Sequence, residues 1–455
     1  MSITISRDED VRLAFASDAS GSYLVPEGVA RPESADEVRE ILHRASAEKL
    51  SVTAAGAQTS YVGGSITDRG IVLSLRKMDA ILDIDAARRT LRVQPGALLG
   101  DVKRAAAAQG LLFAPDPTSE EECSVGGAIA CNASGARSLK YGATRRHVTG
   151  LTVALITGQI VKMRRPQIEK NAVGFPAVQD PIDWFVGSEG ILGIIVEAEL
   201  GLVPLPERVL GLGIPFASDA DALKFIVAAR ESPVLEPRCL EFLDERAFAI
   251  ARDHTGRTPS SAARAYVYTE QEALAGEDIP LDEWLALAEA HAALAEDIQV
   301  FESDAELREA RRMRHAVPAT LNERAAKFRD AGGRKVSTDW AVPYRRLGEA
   351  LAISSQIAEA RGVPHPVTFG HAGNGHPHQH FLGRDRAEVT RIEQVVEEML
   401  GRVLQMGGTV AAEHGIGKLK RRWIGLQLSP IQLGVMRALK KELDPDWLLA
   451  PGNVL

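Results

Sequence analysis

An eleven-residue segment, Gly370 to His380 (GHAGNGHPHQH), places four of the chain's eleven histidines among three glycines. The separation of His371 from His378 is too long for the two rings to meet on one helix face. It fits a strand that enters a glycine-rich turn, where two imidazoles would converge on one point. The segment therefore predicts a strand and turn that present His371, His376, His378 and His380 close together.

A carboxylate and a fifth histidine follow 35 residues after His378, in AAEHGIGK, where Glu413 and His414 stand among small residues. Two imidazoles and one carboxylate, with open positions left over, are the ligands of a catalytic Zn²⁺ or a similar divalent metal. Solvated rings on a loop are the alternative. The pairing of the two segments favours a metal bound by His371, His378 and Glu413.

Length and charge set the broad class of the protein. A chain of 455 residues exceeds one ordinary core and predicts two or three domains. The net charge of -8 and the absence of a polybasic run argue against nucleic acid and a membrane surface. Three cysteines without a CxxC motif suit a reducing compartment. No signal peptide or apolar run of membrane-spanning length is evident, so we expect a cytoplasmic protein without a transmembrane segment.

Glycine and small polar residues mark the N-terminal part of the chain. Ser34 and Glu37 predict a capping box ahead of a helix. The segment Ser51 to Ile66 runs from a strand into a loop of small residues, whose N–H groups could form a nest for a pyrophosphate. It matches neither GxGxxG nor the Walker lysine motif, and a plain turn is the alternative. Further glycines in Pro115 to Val148 would permit close approach to a flat, bulky group.

The chain changes character after Leu202, where prolines mark a domain boundary. Strand-like and helical segments then alternate, which predicts an antiparallel sheet covered by helices. Ser303 and Glu306 predict a capping box for an arginine-rich helix, which we expect Pro318 to interrupt. Most arginines of this helix are expected on a solvated face.

Five of these segments together resemble a known family. AAGAQTS, DPTSEEECSVGGAIACNASGARSLKYG, GSEGILG, GHAGNGHPH and AAEHGIGK occur in this order. They resemble the flavin-dependent oxidoreductases of the vanillyl-alcohol oxidase and para-cresol methylhydroxylase (PCMH) type, and most of all the D-lactate, glycolate and D-2-hydroxyglutarate dehydrogenase branch. The resemblance extends from about Pro32 to Leu455.

The resemblance implies an α+β fold in three parts. A two-part PCMH-type FAD-binding domain would span residues 1–205. A substrate or cap domain with an antiparallel sheet covered by helices would span 206–418 and carry the metal site. A C-terminal helical segment, 419–455, would pack back on the FAD-binding domain.

The resemblance also implies FAD-binding residues. The pyrophosphate would be held by Ala55, Gly56, Ala57, Gln58, Thr59 and Ser60. The remaining contacts would come from Asp116, Thr118, Gly127, Asn132, Gly135, Gly142, Glu189, Gly190, Ile195 and Asn453.

Three further side chains are candidates for the reaction. The family places its substrate-carboxylate arginine in the arginine-rich helix, which points to Arg314, and a guanidinium matches a carboxylate bidentately. Lys335 is a second cationic candidate. His414 would take the hydroxyl proton as general base while the Cα hydride passes to FAD. His376 and His380 are left open as ligand, base or hydrogen-bonding neighbours.

The sequence departs from the family pattern at three places. No histidine lies between Ser51 and Ser65, where members with covalently attached FAD carry one, so we expect noncovalent FAD. The C-terminal Ala450-Pro451-Gly452 lacks the asparagine of the usual Asn-Pro-Gly. Gly373-Asn374-Gly375-His376 replaces the usual Gly-Asp-Gly-Asn of the metal loop.

The predicted activity is oxidation of a D-2-hydroxy acid, such as D-lactate or D-2-hydroxyglutarate, to the 2-oxo acid. Electrons would leave to a quinone, a cytochrome or an electron-transfer flavoprotein. Two alternatives are a flavin subunit that works only in a glycolate oxidase complex, and a non-redox flavoenzyme like alkylglycerone-phosphate synthase. The residues leave open the substrate, its chirality, the metal and the oligomeric state, a homodimer among the options.

Overall fold

A computed structural model describes residues 4–253 and 262–455. The strands in chain order are β1 (Gly28–Ala30), β2 (Val52–Ala55), β3 (Ile71–Ser74), β4 (Ile81–Asp85), β5 (Thr90–Val93), β6 (Leu111–Leu112), β7 (Val148–Ala154), β8 (Ile160–Arg164), β9 (Ile194–Gly201), β10 (Val203–Pro204), β11 (Arg208–Phe216), β12 (Pro237–Leu243), β13 (Ala265–Ala273), β14 (Gln299–Phe301), β15 (Gly332–Ser337), β16 (Val367–His371) and β17 (His376–Asp385).

The α-helices are α1 (Glu9–Ala14), α2 (Ala35–Glu48), α3 (Leu99–Ala107), α4 (Val125–Cys131), α5 (Ser138–Tyr141), α6 (Pro176–Gln179), α7 (Ile182–Phe185), α8 (Asp219–Glu231), α9 (Glu245–Asp253), α10 (Leu281–Ala290), α11 (Asp304–Ala326), α12 (Leu347–Ala360), α13 (Arg386–Gln405), α14 (Arg421–Gln427) and α15 (Pro430–Leu443). Within the described ranges, no helix has both the length and the apolar character needed to cross a bilayer.

The chain forms two compact units. The first consists of Met1–Gly135, Gly142–Leu205 and Glu413–Leu455, and the second of Ala136–Tyr141 and Pro206–Ala412. Each unit has its own sheets and its own core, as expected for a chain of this length.

The first unit contains two main sheets. One is parallel, with the strand order β1-β3-β2, and Leu449 extends it by a parallel bridge to Val52. The other has five antiparallel strands in the order β4-β5-β9-β7-β8. The helix α2 packs its buried face, Val38, Ile41 and Leu42, into a core that it shares with β2 and β3. This division into two sheets confirms the two-part domain expected from the resemblance.

The second unit is built on one antiparallel sheet of seven strands, in the order β14-β11-β13-β12-β16-β17-β15. One face packs against α9 and α11, where Leu307, Met313 and Val317 meet Tyr268 and Phe369. On the other face, α12 contributes a hydrogen bond from Ser354 Oγ to Gln379 Oε1 of 2.8 Å, and α13 packs nearby against β15 and β17. The α+β class predicted from the sequence is confirmed.

Several local predictions differ from the structure. Pro318 does not interrupt its helix, because α11 continues to Ala326 with the proline inside it. At the N-terminus of α2, Ser34 accepts from Glu37 N as predicted, but the Glu37 carboxylate accepts from Glu33 N at 2.8 Å and no reciprocal box forms. By contrast, the capping box of Ser303 and its glutamate partner at the start of α11 is confirmed.

Candidate functional site

The histidine-rich segment forms a tight hairpin in the second unit. The strand β16 ends at His371 and β17 begins at His376, and these two residues are cross-strand partners. His378 lies two residues further along β17, on the same face, because side chains alternate along a strand. Glycine is required at Gly375, where φ is +69° and a Cβ would lie 1.9 Å from the Val342 carbonyl oxygen. The predicted strand and turn are therefore present.

Three histidines of this hairpin come together. One ring nitrogen from each of His371, His376 and His378 lies within 4.8 Å of the others. The ring centroids of His376 and His378 are 4.6 Å apart, and that of His371 is 5.5 Å and 5.2 Å from them. All three side chains are buried. His380, on the same face, instead sets its ring against Phe369 at 5.0 Å.

A buried carboxylate, Glu241 on β12, joins the histidine cluster to Arg314. Glu241 Oε1 lies 2.6 Å from His371 Nδ1, and Oε2 lies 2.5 Å from Arg314 Nε. The guanidinium Nη2 is also 3.3 Å from His371 Nε2. Only 14% of the Arg314 side chain is exposed, against 75% for Arg312. Arg314 thus lies inside the unit beside the predicted metal ligands.

A second carboxylate lies behind His376. Asp339 Oδ1 is 3.3 Å from His376 Nε2, and both side chains are buried. The backbone of Asp339 accepts a 2.8 Å hydrogen bond from Ala412 N. Glu413, the third predicted ligand, follows Ala412 directly and begins the C-terminal segment of the first unit. It lies in a bend of the chain.

Lys335 lies on β15, opposite Leu382 of β17. The side chain is half-buried, and burial lowers its pKa. No residue that the structure describes forms an ion pair or a hydrogen bond with its ammonium group. Within the described ranges, this cation has no partner of opposite charge.

An arginine cluster surrounds Glu270 on β13. Arg311 Nε lies 2.8 Å from Glu270 Oε1, and Arg137 Nε lies 3.2 Å from Oε2. Arg238 bridges Glu270 and Glu272, with its Nε 2.9 Å from the latter. Burial would raise the pKa of Glu270, but the three guanidinium charges hold it well below its ordinary value. Glu270 is therefore ionised, and Arg311, although partly exposed, is paired with it.

In the first unit, two consecutive N–H groups of the loop after β2 face the same side. Arg76 donates 3.0 Å hydrogen bonds to the carbonyl oxygens of Gly56 and Ala57. Because a trans peptide points its C=O and N–H in opposite directions, the N–H groups of Ala57 and Gln58 face away from Arg76. None of the backbone N–H groups of residues 57–60 donates to another residue within the described ranges. Consecutive N–H groups of this kind suit a pyrophosphate.

The ends of this loop are fixed by local contacts. Ala55 is the buried last residue of β2, and Thr59 is half-buried. Ser60 Oγ accepts from Val62 N and Gly64 N, each at 3.3 Å. The hydroxyl therefore organises the turn that follows the candidate anion site.

Two predicted glycines allow the chain to contact itself. A Cβ on Gly56 would lie 2.1 Å from Ser124 Oγ, and a Cβ on Gly135 would lie 2.1 Å from the Asp116 carbonyl oxygen. Gly127 is less crowded, with Ser124 Oγ 3.2 Å from its Cβ position. Gly56 thus allows the loop after β2 to approach Ser124, and Gly135 allows the chain after α4 to approach Asp116.

The remaining flavin-lining candidates lie near the end of α4 and on β9. Asn132 is the left-handed C-cap of α4, and its Oδ1 accepts from Arg145 N at 2.9 Å. Gly142, like Asn132, has a positive φ. Thr118 is exposed. Ile195 lies on β9, and its side chain belongs to the buried core of the first unit.

Glu189 ties together several parts of the first unit. It has φ +52°, followed by Gly190 at φ +77°. Its carboxylate accepts 2.7 Å hydrogen bonds from Ile416 N and Gly417 N, and its carbonyl accepts from Asn453 Nδ2 at 3.3 Å. Burial raises the pKa of Glu189, although the two N–H groups oppose this shift.

A lysine that the sequence interpretation did not select completes this network. Lys418 Nζ lies 2.6 Å from Asn453 Oδ1 and 3.3 Å from the Gly63 carbonyl oxygen. Burial lowers the pKa of Lys418 to about 8. His414, the predicted base, lies in the same segment, with its ring 5.0 Å from that of Tyr61.

Sequence reasoning missed Glu241 and Asp339 as well as Lys418. The sequence around each acid contained a signal. Glu241 is a charged residue between the apolar residues Leu240 and Phe242 of a strand. Asp339 precedes Trp340 in an otherwise apolar stretch. Their partners could not be read, because the contact of Glu241 with His371 spans 130 residues of sequence.

Comparison with known proteins adds independent information. The family model described as "FAD binding domain" matches residues 26–164, and "FAD linked oxidases, C-terminal domain" matches residues 205–454. Glycolate oxidase subunit GlcD of Bacillus subtilis is 32% identical over 97% of this chain and 92% of its own length. D-2-hydroxyglutarate dehydrogenase of Xanthomonas citri is 31% identical, with coverages of 94% and 89%. D-lactate dehydrogenase of Archaeoglobus fulgidus is 32% identical, with coverages of 94% and 91%.

Among solved structures, alkyldihydroxyacetonephosphate synthase matches with a TM-score of 0.73 over 98% of this chain and 82% of that chain. At 18% sequence identity, this match supports the fold alone. The two family models and the full-length relatives agree with the motifs and with the two-sheet architecture. The chain therefore belongs to the FAD-linked oxidases, in the branch that includes D-lactate, glycolate and D-2-hydroxyglutarate enzymes, and it is an oxidoreductase.

Proposed function

We propose that this protein is an FAD-dependent dehydrogenase that oxidises a D-2-hydroxy acid to the 2-oxo acid. The observation that carries the proposal is the buried group of His371, His376 and His378 beside the Glu241–Arg314 pair. This arrangement offers imidazole donors for a metal and a guanidinium for a carboxylate. The metal would suit the hydroxyl of a 2-hydroxy acid, and the guanidinium would suit its carboxylate. The relatives named as D-lactate and D-2-hydroxyglutarate dehydrogenases support the same substrate class.

Zn²⁺ or another divalent metal would be held by His371, His378 and Glu413. The donor set supports this assignment, since buried imidazoles with carboxylates behind them are typical of metal ligands. A metal in this position would supply Lewis acidity that lowers the pKa of the substrate hydroxyl. Glu413 is one peptide bond from Ala412, which the second unit holds through Asp339.

FAD would be held noncovalently by the first unit. The N–H groups of residues 57–60 fit the pyrophosphate, and the segments around Asn132, Gly135 and Glu189 would line the flavin. When bound, FAD would supply the acceptor for the hydride that leaves the substrate Cα. Asn453 and Lys418 would close the site by joining the C-terminal residues to Gly63 and Gly64.

The protein's own groups would orient the substrate and move one proton. Arg314 would bind the substrate carboxylate through the guanidinium edge that Glu241 does not occupy, and Glu241 would hold the arginine in place. His414 would take the hydroxyl proton as general base. Lys335 would add positive charge for an anionic substrate. Fixing the carboxylate would limit the poses that the substrate can adopt.

An anaerobic titration tests this function. The purified flavoprotein is mixed without oxygen with a panel of D- and L-2-hydroxy acids, and flavin absorbance is followed. We expect bleaching by a D-2-hydroxy acid such as D-lactate or D-2-hydroxyglutarate, and no bleaching by its L-enantiomer. Absence of bleaching across the whole panel, with flavin bound, would contradict the proposal. Once substrate has bleached the flavin, we expect a quinone, a cytochrome or an electron-transfer flavoprotein to reoxidise it. Each acceptor is tested by adding it to the bleached protein.

A second candidate is a flavin subunit of a glycolate oxidase complex, which the similarity to the Bacillus subtilis subunit favours. In that case, the isolated protein would not be reduced by any 2-hydroxy acid, and reduction by glycolate would appear when partner proteins are added. A non-redox activity like that of alkyldihydroxyacetonephosphate synthase has only the shared fold in its favour.

A further inference from the structure

We propose that His376 is an additional ligand of the divalent metal, so that three imidazoles rather than two hold the ion. This inference rests on the proposed metal-dependent function and extends it. His376 stands where the family usually has asparagine in its metal loop, so the additional ligand would distinguish this chain within the family.

The position of His376 in the hairpin supports the assignment. It is the cross-strand partner of His371, and its ring is closer to that of His378 than either is to the ring of His371. The residue is 3% exposed, so its nitrogens are turned into the protein rather than toward solvent. One nitrogen lies within 4.8 Å of a nitrogen from each of the other two rings, so the three rings converge on one point.

Asp339 places a buried carboxylate beside His376. Its Oδ1 lies 3.3 Å from Nε2. A carboxylate beside the imidazole is common for a metal-bound histidine, because it makes the ligand more basic. The position of Asp339 is itself fixed, since the adjacent Thr338 exchanges backbone and hydroxyl hydrogen bonds with Gln379 of β17.

Burial alone does not explain the arrangement of His376. His380 lies on the same strand and the same face and is also buried, yet its ring packs edge-on against Phe369. The ring of His380 therefore packs against an aromatic side chain, whereas the ring of His376 converges with those of His371 and His378. His380 is therefore the matched control for the experiment.

The proposed ligand set also restricts the class of metal. Three imidazoles suit borderline ions such as Zn²⁺ or Co²⁺, and disfavour Mg²⁺ and Ca²⁺, which prefer oxygen ligands.

Metal-binding measurements on the FAD-loaded protein test the inference. His376→Ala and His380→Ala are compared with the wild type by elemental analysis after dialysis and by competition with a chromophoric chelator. We expect His376→Ala to lose about 100-fold or more in Zn²⁺ affinity, beyond the range typical of neighbours that only support a ligand. His380→Ala should bind as the wild type does. The Co²⁺-loaded wild type should show intense visible absorption of a four-coordinate ion, which weakens in His376→Ala.

Amide substitutions test which ring nitrogen of His376 binds the ion and also cover a failure of His376→Ala to fold. The amide of Asn occupies the place of an imidazole Nδ1, and that of Gln the place of Nε2. Greater metal affinity in one of these two variants than in His376→Ala would support direct ligation through the nitrogen that its amide replaces. Equal affinities and identical Co²⁺ spectra in the wild type and all His376 variants would overturn this inference while leaving the proposed function intact. A wild type that binds no divalent metal would instead overturn the metal site itself.

Discussion

Arg230, the penultimate residue of α8, donates a hydrogen bond to the backbone carbonyl of Gly373 at the centre of the histidine hairpin. The guanidinium also lies over the Tyr344 ring, 4.0 Å from its centroid. This contact fixes the turn that sets the separation of His371 from His376. The geometry of the candidate metal site therefore depends on a residue that does not face the metal.

Substitution of Arg230 should weaken metal binding without removing a ligand. We expect Arg230→Met to lower Zn²⁺ affinity by about 10- to 100-fold, as is typical for residues that position metal ligands. Arg345→Met is the matched control, since Arg345 is exposed and pairs with Glu231 near the same tyrosine. Chelator competition measures both affinities. Equal losses in the two variants would show that the effect is not specific to the turn.

Arg314 should affect substrate more than cofactor. If it binds the substrate carboxylate, Arg314→Met should lower kcat/KM by a factor of about 100 or more, which corresponds to the loss of a charge-assisted pair worth about 2 to 3 kcal/mol. Flavin content should not change. Arg312→Met, on the exposed side of the same helix, should leave kcat/KM unaltered. Unchanged kinetics in Arg314→Met would exclude the assignment.

Metal removal and loss of the base should have different signatures. Chelation should abolish reduction of the flavin by substrate while the flavin spectrum persists, because the metal ligands and the flavin-binding loop belong to different parts of the chain. His414→Ala should keep the metal but lose about 10²- to 10⁴-fold in rate. Elemental analysis and stopped-flow reduction give the two readouts. Full activity of metal-free protein would assign the proton transfer and substrate binding to the histidines alone.

FAD should be released by denaturation, since residues 51–65 contain no histidine that could attach it. Precipitation with acid should leave all yellow colour in the supernatant, as measured by its absorbance. Colour that stays with the pellet would show a covalent link and contradict the expectation.

Lys418 should make stability depend on pH in the alkaline range. Its pKa of about 8 in the folded protein is lower than the ordinary value of 10.5, so the unfolded chain binds this proton more tightly. Between these two values the free energy of unfolding gains a contribution that rises with pH, because the unfolded state holds more protons. Below pH 8, Lys418 is charged in both the folded and the unfolded state, and burial of the ammonium group lowers the free energy of unfolding by its full amount.

Lys418→Met should remove this contribution. The difference in unfolding free energy between the wild type and the variant, measured by denaturant titration, should shift in favour of the wild type from pH 8 to pH 10. Lys420→Met is a nearby comparison in the same segment. A difference that does not change with pH would show that Lys418 titrates alike in the folded and unfolded states.

Local sequence patterns predicted much of the fold. The capping box at Ser303 and the turn after His371 depend on residues close in sequence, and both are present. Such features follow from backbone chemistry that a short segment determines by itself.

The partners within the candidate site were harder to predict, because they depend on strand order. Glu241 meets His371 only because β12 and β16 are neighbours in a sheet whose order does not follow the sequence. The burial of Arg314 relative to Arg312 had a sequence rationale only through the family resemblance. The continuation of α11 past Pro318 shows the same limit, since packing of both halves of the helix against one core outweighs the local penalty of proline.

Pro318 also has a consequence for the arginine four residues before it. Proline has no N–H, so the carbonyl oxygen of Arg314 lacks the donor that an ordinary residue at position 318 would supply. A helix bends most readily where a rung of its hydrogen-bond ladder is already missing. We therefore expect α11 to bend most readily at the turn that carries Arg314.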